Sequence, residues 1–182
     1  ITRQDKNYNA SSTSELNIGG VQYSISTSAE IENGRPVHYF IDVKHGSNEN
    51  KYTIEFKFGQ AVVKLESGRR SGGRKVPVAQ DVTLLDNNVW YQYQFLIGKY
   101  DMSKGGVQSF NAFIAYPALR QYSALVEFQE EKEHKFNGKK VNSRVFGVEL
   151  GGGFQLLVTV DDDGVPLEIE IPAQDEKITL EP

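Results

Sequence analysis

From Gly20 onward, apolar and polar positions alternate in short runs, and each run closes on Gly, Asn, Asp or Pro. In "VQYSIS", Val21, Tyr23 and Ile25 share one parity while Gln22, Ser24 and Ser26 take the other. A period of two is that of a strand with one wet face. "NGRP" at Asn33–Pro36 predicts a turn, "VHYFIDVKH" its partner strand, and "GSNEN" at Gly46–Asn50 the next turn. In "YTIEFKF", Tyr52, Ile54, Phe56 and Phe58 alternate with Thr53, Glu55 and Lys57. "GQAVVKLESG" and "RKVPVAQDVTLL" then flank a loop, "GRRSGG".

Further runs, "VQSFNAFIAY", "YSALVEFQEE", "KVNSRVFGVEL", "FQLLVTV", "PLEIEI" and "KITL", are separated by "NGKK" from Asn137, "GGG" from Gly151 and "DDDG" from Asp161. Short alternating runs with regular turn signals predict a mainly β fold, a large curved antiparallel sheet or a partly open barrel. Residues 1–17, "ITRQDKNYNASSTSELN", are polar and without period. They read as a flexible lead-in to a single β-rich domain over residues 18–182. The "NAS" at Asn9 matches a glycosylation sequon, which carries weight only in a eukaryotic secretory setting.

Two periods compete in "LLDNNVWYQYQFLIGKYDMSKGG", Leu84–Gly106, which holds the one tryptophan. Alternation would make it a strand; helical spacing gathers Val89, Tyr93, Leu96, Ile97 and Tyr100 on one face. The flanks favour a helix over about 87–100, with Asp86 or Asn87 as cap and Lys99 in the last turn. Such a helix must lay its apolar face on a sheet. Core packing accounts for that face; the functional alternative is that it closes one mouth of a curved sheet. Trp90, Tyr91, Tyr93, Phe95 and Ile97 would then line a site for an apolar small molecule or lipid.

Composition narrows the chemistry. With no cysteine in 182 residues, disulfides, thiolate metal sites and cysteine nucleophiles are excluded. A net charge of −4 offers no general attraction to nucleic acid, and no apolar run reaches membrane-spanning length. The basic cluster Arg69, Arg70, Arg74 and Lys75 lacks the P-loop pattern; it reads as a solvated hairpin tip, or as a contact for an anion or an acidic partner. The opening Ile1 predicts a processed or trimmed start.

No G-x-S-x-G or HExxH occurs, so the elbow serine hydrolases and the zincins fall away. The histidines His38, His45 and His134 are scattered, and "DDDG" lacks EF-hand spacing and suits a hairpin turn. No metal and no cofactor is expected. Glu127, Glu149, Glu168 and Glu170 on strands could supply a hydrolase's carboxylate pair, although "EIEI" by alternation turns Glu168 and Glu170 to solvent.

The order "TLLDNNVWYQYQFLIGKYDMSKGGVQSFNAFI", "NGKKVNSRVFGVEL", "FQLLVTVDDDGVPLEIEIP", "KITLEP" resembles a group of uncharacterised bacterial extracytoplasmic domains, found alone or beside α/β-hydrolases. The layout is also similar to lipoprotein-carrier folds. The resemblance, which covers the C-terminal half, implies a curved sheet closed by the Asn87–Tyr100 helix, export to the periplasm or beyond, and a non-catalytic binding or accessory role. The alternatives are a hydrolase and a docking module for a neighbouring protein domain.

Overall fold

The strand pattern is realised twice over. In the computed structural model, which describes residues 2–4, 7–86, 89–136 and 138–179, the strands form two seven-stranded sheets rather than one. The chain is mainly β with one short helix, in keeping with its alternation. It divides into two compact units, Ile1–Leu84 with Phe113–Gln121, and Leu85–Ala112 with Tyr122–Pro182.

The first sheet runs in sequence order: β1 (Thr2–Gln4), β2 (Asn7–Ile18), β3 (Val21–Glu32), β4 (Arg35–His45), β5 (Asn48–Lys57), β6 (Gln60–Ser67) and β7 (Arg70–Pro77). Every neighbouring pair is antiparallel. Buried positions keep the alternation, with Ile25, Ala29 and Ile31 on β3, Tyr39, Ile41 and Val43 on β4, and Ala61 and Val63 on β6. Phe113 and Tyr116 pack in the same unit, edge-on to Phe56 at 5.4 Å and Tyr52 at 5.7 Å.

The expected lead-in over residues 1–17 is largely β2, paired with β3 from Asn7↔Glu32 to Ile18↔Val21. Its polar composition hides a strand because the neighbouring strand answers it in kind. Ser12 Oγ lies 2.9 Å from Thr27 Oγ1, and Thr13 Oγ1 lies 3.4 Å from Ser26 Oγ. Cross-strand hydroxyl pairs of this sort stabilise a sheet without an apolar side chain. Ile1 lies outside the described residues.

Tight two-residue connections join β2 through β7, and one breaks the usual rule. Phe58 and Gly59 both have positive φ, 52° and 72°, as a type I′ turn requires. Phe58 therefore ends the apolar alternation of β5 instead of extending it, and its ring is 97% exposed.

The "GRRSGG" segment is also mostly strand, since only Gly68 and Arg69 turn and β7 begins at Arg70. Gly73 is needed there: a Cβ at this position would lie 2.8 Å from the Val63 carbonyl oxygen, while one at Gly72 would meet nothing within 4 Å. Gly73→Ala is expected to cost about 1–3 kcal/mol by forcing the β6–β7 ladder apart. Gly72→Ala should be neutral or stabilise by about 0.5 kcal/mol, because alanine loses less entropy in a strand. Amide exchange across β7 in the two variants checks this; equal protection would rule out the close approach as the reason for Gly73.

The second sheet has the order β14-β13-β12-β11-β10-β9-β8. Its strands are β8 (Thr83–Leu84), β9 (Val107–Ile114), β10 (Arg120–Phe136), β11 (Lys139–Leu150), β12 (Phe154–Val160), β13 (Pro166–Ile171) and β14 (Glu176–Thr179). β10 through β14 pair antiparallel. The core of this unit is one face of the sheet, with Val126, Phe146, Val148, Leu156, Val158 and Ile169, capped by Leu96, Ile97, Tyr93 and Tyr100.

The helix expected over 87–100 is shorter: a 3-10 turn at Trp90–Gln92 followed by α1 (Tyr93–Ile97). Neither start has a side-chain cap, and four of the eight residues of Trp90–Ile97 are aromatic, a class of lower helix propensity. Asn87, a proposed cap, and Asn137, in the "NGKK" turn, lie outside the described residues. The predicted apolar face nevertheless holds, since Val89, Tyr93, Leu96, Ile97 and Tyr100 are all buried.

Candidate functional site

A glycine in the middle of a strand leaves its row of the sheet without a side chain, at a cost of roughly 0.5–1 kcal/mol against alanine. Such a position often marks a bulge or a close approach by a ligand or backbone. Gly147 occupies one in β11, between Glu127 of β10 and Leu157 of β12. The β10 strand bulges just there: Phe128 pairs with Phe146 and Glu130 with Val145, so Gln129 is the extra residue. A Cβ on Gly147 would meet Gln129 Nε2 at 3.1 Å, so the glycine gives the bulge residue room to lie across the strand.

Around this point the side of the second sheet opposite its core carries a depression of about 300 Å³. Leu125, Leu157, Val107 and Pro172 give it an apolar floor and wall, and Glu127, Glu149, Gln129 and Gln155 bring polar groups to its rim. Leu125 pairs with Glu149 and Glu127 with Gly147, which makes the two glutamates diagonal neighbours on adjacent strands. Gln129 Nε2 donates to Glu127 Oε2 at 3.1 Å, and Gln155 Nε2 donates to Glu149 Oε2 at 3.4 Å. Among the described residues neither carboxylate makes an ion pair; each is held by a neutral amide. Sequence reasoning listed the two glutamates but not the depression. The available signal was the isolated glycine in "SRVFGVEL".

The aromatic residues expected to line a site are placed differently. Tyr93 and Ile97 are buried in the core, with Trp90 packed against it and stacked on Tyr93 at 6.2 Å and 22°. Burial pushes the Tyr93 phenol well above its ordinary pKa, which keeps it neutral. Tyr91 and Phe95 are half-buried and meet edge-on at 6.4 Å. None of the five lines the depression over Gly147. Beneath them Gln92 is fully buried and accepts a 2.6 Å hydrogen bond from the Asp86 amide through Oε1.

The basic cluster is spread along one strand instead of gathered at a tip. Arg69 sits in the turn, while Arg70, Arg74 and Lys75 belong to β7 and are exposed. Arg74 has a structural contact, donating from Nη2 to the Leu119 carbonyl at 2.6 Å.

Of the other candidates, Glu168 departs most from expectation, being 3% exposed where alternation turned it to solvent. Its row neighbours are Thr159 on β12 and Thr179 on β14, and Lys177 Nζ reaches its Oε2 at 2.8 Å. Its charge is thus neutralised within the fold. "DDDG" is the hairpin turn expected of it, with Asp161 Oδ1 accepting from the Asp163 and Val165 amides. His38 pairs with Glu30 at 2.8 Å and His45 lies edge-on to Tyr23. Among the described residues no three His, Asp or Glu side chains gather as a metal site, and no helix is long and apolar enough to cross a membrane.

These features define a class: a mainly β protein of two open, up-and-down sheets, one of which carries a short helix in its core and a depression on its other face. No family model matches the chain, and no curated protein matches it. Among solved structures it is similar to a β-barrel-like protein of a domain of unknown function from Brucella abortus, at 15% identity and a TM-score of 0.48. The match covers 93% of this chain and 72% of that one.

Proposed function

We propose that this chain is a non-catalytic binding domain that works outside the cytoplasm of a bacterial cell, and that the depression over Gly147 is where its ligand sits. The observation that carries the reading is the apolar floor of Leu125, Leu157, Val107 and Pro172 on a sheet face that water would otherwise keep polar. A strand glycine and a bulge, each of which weakens a sheet, meet at that one spot. The absence of cysteine is compatible with an oxidising compartment.

Native mass spectrometry of the protein from a bacterial host, followed by denaturing extraction, tests the reading. A small molecule that co-purifies with the parent protein and is lost from a folded Gly147→Leu variant supports it. A molecule retained by Gly147→Leu would move the site elsewhere, with the aromatic group at Trp90, Tyr91, Tyr93, Phe95 and Ile97 next in line.

The docking alternative has its own observation in Phe58. A bulky side chain held at positive φ and almost wholly in water is strained and poorly solvated, which is the condition of an anchor awaiting a partner's pocket.

A further inference from the structure

The two rim carboxylates say what kind of ligand the depression would take, an inference that rests on the reading of that site just given. Glu127 and Glu149 stand diagonally across Gly147, and residues so placed on adjacent antiparallel strands have Cα atoms roughly 7–8 Å apart. A single small group can reach both by taking the place of the Gln129 amide, which lies over Gly147 and donates to Glu127.

Each already accepts a hydrogen bond from a glutamine, which positions the carboxylate but leaves its charge uncompensated. Some carboxylates on the two sheets pair with lysines, Glu49 with Lys44 and Lys51, Glu55 with Lys57, Glu133 with Lys140 and Glu170 with Lys177, while Glu32, Glu66, Glu130 and Glu131, like Glu127 and Glu149, make no ion pair among the described residues. What sets Glu127 and Glu149 apart is that two such carboxylates stand together at the rim of one apolar floor. An anion would be repelled by this rim, and a purely apolar molecule would leave it unsatisfied. A cation on an apolar stem satisfies both parts, with the stem over Leu125 and Leu157 and the charged end between the glutamates.

We infer that the depression over Gly147 is a binding site for a small alkylammonium, an amine with a short apolar chain. The volume of about 300 Å³ is at the lower end of ligand pockets, which suits a stem of about six carbons.

The test is an NMR titration of the full chain at pH 7 and low salt with n-hexylammonium, n-hexanol and n-hexanoate as probes. Hexylammonium is expected to shift the amides of Gly147, Glu127, Glu149 and Leu157, with hexanol at least about tenfold weaker and hexanoate silent. Glu127→Gln with Glu149→Gln should bring hexylammonium down to the level of hexanol, and Gly147→Leu should abolish both while leaving the far-ultraviolet spectrum unchanged. Equal binding of hexanol and hexylammonium at these amides would overturn the charge preference and leave the site itself standing. No shift at these amides with any probe would overturn the inference and the site together.

Discussion

Phe146→Ala is expected to remove about 4 kcal/mol of unfolding free energy. The ring is 2% exposed, meets Tyr100 edge-on at 5.3 Å and Phe128 at 5.7 Å, and sits at the centre of the second unit's core. Deleting a buried aromatic costs the transfer of its atoms plus the cavity left behind, and the cavity term depends on how far the surroundings can collapse. Here they can collapse little. Phe146 is pinned between Phe128 on β10 and Val158 on β12 by ladders on both sides, so backbone movement would break sheet hydrogen bonds.

Urea unfolding followed by Trp90 emission measures the effect, since Trp90 packs against the same cluster. Phe40→Ala is the control. That ring lies on the exposed face of β4, and its loss should cost less than about 1 kcal/mol. Similar costs for the two variants would mean that the second unit's core does not limit stability.

The second large effect concerns Lys177. Lys177→Met is expected to cost about 2 kcal/mol at pH 7, because it strands the buried Glu168 carboxylate. The figure lies below the 3–5 kcal/mol usual for a broken buried pair because the lysine is itself largely exposed. Burial opposes the charged form of Glu168, but the hydrogen bond and charge of Lys177 outweigh it and hold the carboxyl below its ordinary pKa. The hydrogen bond to Glu168 in turn raises Lys177.

The signs give a window. The contribution of Glu168 is present above its unfolded pKa, near 4.5, and is lost as pH falls through the lower folded value. The contribution of Lys177 is present below 10.5 and is lost as pH rises through its higher folded value. The gap between parent and Lys177→Met should therefore be widest from about pH 5 to pH 10 and close in strong acid, once Glu168 is protonated. Thermal unfolding across that range reads the gap; a gap that persists unchanged in strong acid would assign the loss to packing by the lysine stem.

Much of the architecture was legible in the residues. The period of two located most strands of both sheets, and the Gly, Asn and Asp clusters marked where they end, because side-chain alternation and positive φ are local demands. The apolar face of the 89–100 segment was read correctly even though the helix is only a turn or two long, since burial follows the face and not the length. Where the reading failed, a neighbour was responsible. Nothing in "NYNASSTSELN" distinguishes a strand from a tail until β3 lies beside it to share its hydroxyl bonds.

The same division runs through the candidate site. Sequence by itself determined a mainly β chain without thiol chemistry or an apolar helix of membrane length, and it put Glu127, Glu149 and Glu168 on strands. Only the tertiary structure decided that Glu168 is buried against a lysine from the next strand while Glu127 and Glu149 flank a glycine crossed by Gln129. Register across a sheet joins residues far apart in the chain, Leu125 to Glu149 and Glu168 to Thr179, and a bulge of one residue sets which side chains face each other. Alternation is a property of one strand; a depression, an ion pair and a core exist only between strands.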